Sequence, residues 1–157
     1  GEKVEDKNKR WWKLIEPHIN GVIATSARGG QTITDAINKF DNEIAVLKPN
    51  YCVFLLGENG GASAAQYKTL YDKCILNNIF PVFCYNTTSY KQSGQLQNIA
   101  NMESVIPPQN RGYRFDIATS LNGDGYTINS SMFVDNQHPN VSGCMAMAER
   151  YMDFNFF

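Results

Sequence analysis

The chain has 157 residues, a length that suits one compact domain, and its 43% hydrophobic and 18% charged residues exclude the high-charge composition of a disordered protein. Fourteen Lys and Arg against fifteen Asp and Glu give a net charge of -1, which supplies no basic field for a phosphate backbone and argues against nucleic acid as a partner. No apolar run approaches the roughly 18 residues of a membrane span, and the opening Gly1-Glu2-Lys3-Val4-Glu5-Asp6-Lys7 lacks the apolar middle of a signal peptide.

In chain order, residues 10–19 contain Trp11-Trp12-Lys13-Leu14-Ile15-Glu16 and read as a short helix that Pro17 stops. The apolar Gly21-Val22-Ile23-Ala24 is the next candidate strand. Ile33, Ile37, Phe40, Ile44 and Leu47 recur at intervals of four and three, the buried stripe of a helix that starts near Thr32 or Thr34 and ends before Pro49. Residues 51–56 form a continuous apolar run between Pro49-Asn50 and Gly57, which fits a strand covered on both faces. Tyr67, Leu70, Tyr71 and Cys74 give a second helical stripe, closed by Asn77-Asn78.

Residues 80–85 read as another buried strand, residues 86–94 as a polar loop and residues 95–102 as helical. A short strand is expected within residues 111–117 and a turn at residues 122–125. Residues 140–152 are a final helix with Val141, Cys144, Ala148 and either Tyr151 or Met152 inward. Strands alternating with helices of about a dozen residues imply right-handed crossovers and a parallel sheet flanked by helices on both faces, a doubly wound α/β domain over residues 1–157. The cysteines 52, 74, 84 and 144 show neither CxxC pairing nor zinc spacing, so no metal is expected and free packed thiols are. They leave the compartment open, an exported protein included.

Functional loops of such a sheet lie at the carboxyl ends of its strands. Three stand out: Thr25-Ser26-Ala27-Arg28-Gly29-Gly30, then Gly57-Glu58-Asn59-Gly60-Gly61, then Asp135-Asn136-Gln137-His138-Pro139-Asn140. Together they suit acyl transfer. A glycine N–H and an asparagine amide can stabilise an oxyanion, and an Asp three residues before a His can orient it as a general base. Ser26 and Ser63 are the serines near these loops, and they read as a strand-end polar residue and a helix N-cap.

These loops, in this order, resemble the conserved blocks of the SGNH hydrolases, also called GDSL esterases or lipases, over most of the chain. Gly29 matches the glycine of the second block, and Gly57-Glu58-Asn59 matches Gly-x-Asn-Asp up to Gly60, which stands where that family has Asp. Asp135-x-x-His138, followed by Pro139-Asn140, matches the fifth block, and Trp11-Trp12 is similar to the Trp-containing helix after the first. Asp116 resembles a frequent family residue after the fourth strand.

The resemblance implies a flavodoxin-like three-layer fold and a serine esterase acting on a small-molecule or glycan ester, acetylated carbohydrate among them, with no cofactor. It makes His138 the base, Asp135 its partner, and Gly29 and Asn59 the oxyanion hole. The first block, with the nucleophilic Ser and the first strand, has no counterpart before Trp11. It is expected in an N-terminal segment, or a neighbouring copy completes the sheet. An inactive glycan-binding or assembly module is the alternative. A flavodoxin-like binder of a flavin or nucleotide would leave Asp135 and His138 without a role.

Overall fold

The computed structural model describes residue 4 and residues 6–85, 92–114, 130–135 and 138–153. Most of the expected polar loop after residue 85, the turn at residues 122–125 and Asp116 lie outside the described residues. Two compact units emerge, one containing residues 26–85 and 93–112 and the other most of the remaining described residues.

Helix α1 (Trp11–Ile15) passes into a 3-10 turn (Glu16–His18) with Pro17 near its start, where the helix was expected to stop. The strand expected at residues 21–24 is not formed. Residues 22–28 have no regular structure, and Val22 is 97% exposed. An extended segment becomes a strand only through a ladder with a neighbour, and among the described residues the sheet does not include this one.

Helix α2 (Ile33–Lys39) begins at Thr32 through a reciprocal cap: the Thr32 hydroxyl accepts the Asp35 N–H, and the Asp35 carboxylate accepts the Thr32 N–H. Ile33 and Phe40 are fully buried, as the stripe requires. Beyond that point the pitch changes. A π-helical turn (Phe40–Ile44) and a 3-10 turn (Ala45–Leu47) follow, so the expected stripe drifts and Leu47 ends largely exposed.

Strand β1 (Tyr51–Phe54) leads to helix α3 (Ala64–Leu76), capped by Ser63 and Gln66. Asn78 turns the chain at φ 58 into strand β2 (Phe80–Tyr85). The strands pair in parallel, with Tyr51 opposite Phe80 and Phe54 opposite Phe83. Helix α4 (Gln92–Glu103) starts earlier than expected, and β3 (Arg111–Arg114) joins β2 on its other side. The result is an α/β architecture, a parallel sheet flanked by helices.

The middle strand buries four consecutive residues, 81–84, whereas β1 leaves Tyr51 39% exposed and Cys52 and Val53 half-buried. Full coverage was expected for β1. Among the described residues it is an edge, and the apolar run loses the burial that a second neighbouring strand would supply. The core stacks the Phe54 and Phe83 rings at 4.9 Å and sets Tyr67 edge-on to Phe83. A Cβ on Gly112 would meet Cys84 Sγ at 2.6 Å, so only glycine lets β3 lie this close to β2. All four cysteines are free thiols.

In the other unit α1 packs on helix α5 (Val141–Met152), with the Trp11 and Tyr151 rings 5.5 Å apart. Tyr151 is the inward residue; Met152 is exposed.

The buried Tyr67 hydroxyl donates to the Leu56 carbonyl at 3.2 Å, and burial pushes its pKa up to about 12 from 10.0. Between these two values the unfolded chain has lost the proton and the native protein keeps it, so stability falls as pH rises through this window and is untouched by Tyr67 below it. The loss expected from this group is about 2–3 kcal/mol. Urea unfolding of wild type and Tyr67→Phe at about pH 9 and about pH 11.5 measures it, because the variant lacks this share of the alkaline slope.

Candidate active site

Asp135 and His138 lie in a tight loop between a 3-10 turn (Ser130–Met132) and α5. Phe133 bridges Pro139 in antiparallel fashion, the Val134 N–H donates to the His138 carbonyl at 2.8 Å, and the Asn140 N–H donates to the Met132 carbonyl at 2.9 Å. Within that closed loop the Asp135 carboxylate accepts the His138 backbone N–H at 2.9 Å, and its two oxygens stand 2.8 and 2.9 Å from Nδ1. An ionised carboxylate only accepts hydrogen bonds, so it selects the tautomer with the proton on Nδ1 and leaves the Nε2 lone pair available. Both side chains are about two-fifths exposed, at 38% for His138 and 41% for Asp135.

Asn140 anchors the loop to the helix. Its Oδ1 accepts the Gly143 N–H at 3.0 Å as the N-cap of α5, and its Nδ2 donates to the Ser131 carbonyl at 2.7 Å. Gly143 is required by closeness: a Cβ there would stand 2.4 Å from the Met132 carbonyl oxygen.

The larger unit carries the other two candidates. The Gly29 loop turns between Arg28 and Gln31, with the Gln31 N–H on the Arg28 carbonyl and Gly30 at φ 71. Glu43, from the π-helical turn, accepts the Ser26 hydroxyl on one oxygen and the Arg28 guanidinium on the other. The Ser26 hydroxyl, and after it the Arg28 charge, hold the Glu43 carboxyl below the usual carboxylate range against the opposing effect of desolvation. Ser26 is therefore engaged with Glu43, and Ser63 caps α3.

The loop after β1 runs through Gly57, Gly60 and Gly61, all at positive φ. From it Asn59 Nδ2 donates to the Gln31 carbonyl at 3.4 Å, which puts Asn59 against the loop that carries Gly29. Asp135 and His138 are thus brought together in one unit, and Asn59 meets the Gly29 loop in the other.

The polar side of α4 was not expected from the sequence. Gln95, Asn98 and Asn101 recur every three residues, and all three bond to residues 57–62. Amides at helical spacing in a helix short of charges were the available signal. Among the described residues no cluster of His, Cys, Asp or Glu could hold a metal ion, and no helix is long and apolar enough to cross a membrane.

No family model matches the sequence, and no curated protein matches it. Solved structures do. The chain is similar to a G-D-S-L family protein from Desulfitobacterium hafniense DCB-2, at 16% identity and TM-score 0.78, over 93% of this chain and 88% of that one. It is similar to the acetyl xylan esterase AlAXEase at 13% identity and TM-score 0.78, over 94% and 91%. The psychrotrophic esterase EstA from Pseudoalteromonas sp. matches at 15% identity and TM-score 0.73, over 94% and 86%. At these identities the likeness establishes the fold: this chain has the α/β fold of G-D-S-L lipolytic proteins and esterases.

Replacing Gly143 with Ala must displace Met132 or α5, because the nearest atom is backbone rather than a flexible side-chain end. The Gly143→Ala variant is expected to lose about 1–3 kcal/mol of stability. Urea unfolding measures the loss, and shifted His138 ring resonances would report the displaced loop.

Proposed function

We propose that this chain is an ester hydrolase of the SGNH, or GDSL, type that removes acyl groups, acetyl groups on carbohydrate included. The observation that carries this reading is the Asp135 carboxylate on His138 Nδ1, in a protein with the fold of known esterases. In the reaction a serine hydroxyl attacks the ester carbonyl while His138 Nε2 accepts its proton. The proton then passes to the departing alcohol, and water releases the acyl group by the same base. Asp135 fixes the tautomer. The Gly29 N–H and the Asn59 amide stabilise the oxyanion of each tetrahedral intermediate. The acetyl xylan esterase among the similar structures supports an acetylated glycan as substrate.

Ser26 and Ser63 have other partners, so the reading assigns the nucleophile to a further strand pairing with β1, supplied by an upstream segment or a neighbouring copy. Among the described residues β1 is a partly exposed edge of the sheet, which supports that assignment.

The experiment is hydrolysis of p-nitrophenyl acetate and acetylated xylan by the full-length protein. His138→Ala is expected to lower kcat by about 10²–10⁴-fold, the usual contribution of a general base. Asn59→Ala is expected to lower it by about 10²–10³-fold, as for loss of one oxyanion donor. Activity that survives His138→Ala would overturn the assignment, and a folded, inactive parent that still binds xylan would establish the binding module instead.

A further inference from the structure

The loop that carries Asn59 has little of its own to hold it. Gly57, Gly60 and Gly61 sit at φ values of 105, 73 and 71, conformations that glycine enters at low steric cost and leaves as readily. What joins its two ends is Asn98 of α4, which is only 6% exposed. Its Nδ2 donates to the Gly57 carbonyl at 2.7 Å, and its Oδ1 accepts the Ala62 N–H at 2.8 Å. One planar amide therefore spans the first and last residues of the loop. A Cβ on Gly61 would stand 3.5 Å from Asn98 Oδ1, an ordinary contact, so it is the φ of 71 rather than lack of space that favours glycine there.

Neighbouring turns of α4 extend the attachment. Gln95, 4% exposed, donates to Glu58 Oε2 at 2.6 Å, and Asn101 donates to the Ala62 carbonyl at 2.8 Å. A buried helix position ordinarily carries an apolar side chain, because an amide must recover its lost hydration through hydrogen bonds. Asn98 recovers that hydration from the loop.

We infer that Asn98 is a positioning residue, which fixes loop 57–62 and so aims the Asn59 amide at the loop carrying Gly29. The inference rests on the esterase reading, in which Asn59 is an oxyanion donor. Asn98 acts through Asn59. An oxyanion exists in the transition state and not in the bound ester, so misplacing its donor lowers kcat and leaves KM nearly unchanged.

The test uses the full-length protein and compares Asn98→Ala, Asn98→Asp, Asn59→Ala and the double variant Asn59→Ala/Asn98→Ala. Hydrolysis of p-nitrophenyl acetate is read together with amide hydrogen exchange. Asn98→Ala is expected to lower kcat about 10–100-fold with KM within about twofold, and the double variant to match Asn59→Ala within about threefold. Asn98→Asp keeps an acceptor for the Ala62 N–H but loses the donor to Gly57, so it too is expected to lower kcat. Amides of residues 57–62 should exchange about tenfold faster while those of β2 hold their rate.

Additive losses in the double variant would overturn the inference. Unchanged exchange in the loop would do the same, and so would equal acceleration in β2, which would mark a merely structural residue. If Asn59→Ala leaves kcat intact, the oxyanion role of Asn59 falls, while acceleration confined to residues 57–62 still sustains Asn98 as the residue that orients it.

Discussion

A backbone N–H or C=O taken out of water must find a partner, and the parallel pairing of residues 51–54 with residues 80–83 determines where the rest of the larger unit can go. Parallel strands cannot be joined by a tight turn, so the chain must return along the length of the sheet before it can pair again. Helix α3 supplies that return: its 13 residues span about 20 Å at the rise of an α-helix, about the length of the six-residue β2 and longer than the four-residue β1. The same pairing puts the carboxyl ends of β1 and β2 at one side of the sheet. Loop 57–62 leaves from there, as ligand loops do in open α/β sheets.

Two loops that carry candidate oxyanion donors are each held by a side chain from a helical segment of the same unit. Glu43 takes the Ser26 hydroxyl and the Arg28 guanidinium beside Gly29, and Asn98 ties Gly57 to Ala62 around Asn59. Fixing one residue's backbone costs about 1–2 kcal/mol of entropy, while a single hydrogen bond returns about 0.5–1.5 kcal/mol. One bond cannot hold a glycine-rich loop. This accounts for the three amides of α4 converging on one short segment rather than facing water, and for their placement on the helix that follows β2.

What could be read from the sequence is what depends on neighbours a few residues apart. Thr32 with Asp35, Ser63 with Gln66, and Asp135 with His138 are all i to i+3 pairs, and each forms where its spacing suggests. The buried stripe of α2 holds through Phe40 for the same reason. Residues 21–24 look like a strand but form none, since a strand depends on a neighbour that its own sequence does not specify. The π-helical turn after Lys39 inserts a residue into the helical repeat, which spacing alone does not reveal and which carries Leu47 outward. Asn98 was invisible for a further reason. Its partners lie 36 and 41 residues away, and an amide on a helix reads as a solvent-facing residue until the fold buries it.

On the proposed reading, Asp135 with His138 and the candidate oxyanion donors are held differently because the work assigned to them differs. A general base needs a defined tautomer, which one carboxylate three residues away can impose through a local turn, and partial exposure does not disturb that choice. An oxyanion donor must already occupy its place when charge develops, since reorganising at that moment would consume the stabilisation it gives. Local turns built from glycine cannot supply such rigidity. It has to come from outside the loop, and for loop 57–62 it comes from Asn98, buried deeply enough that water does not compete for its hydrogen bonds. On the proposed reading, the partly exposed His138 and the buried Asn98 are therefore two answers to one demand on geometry.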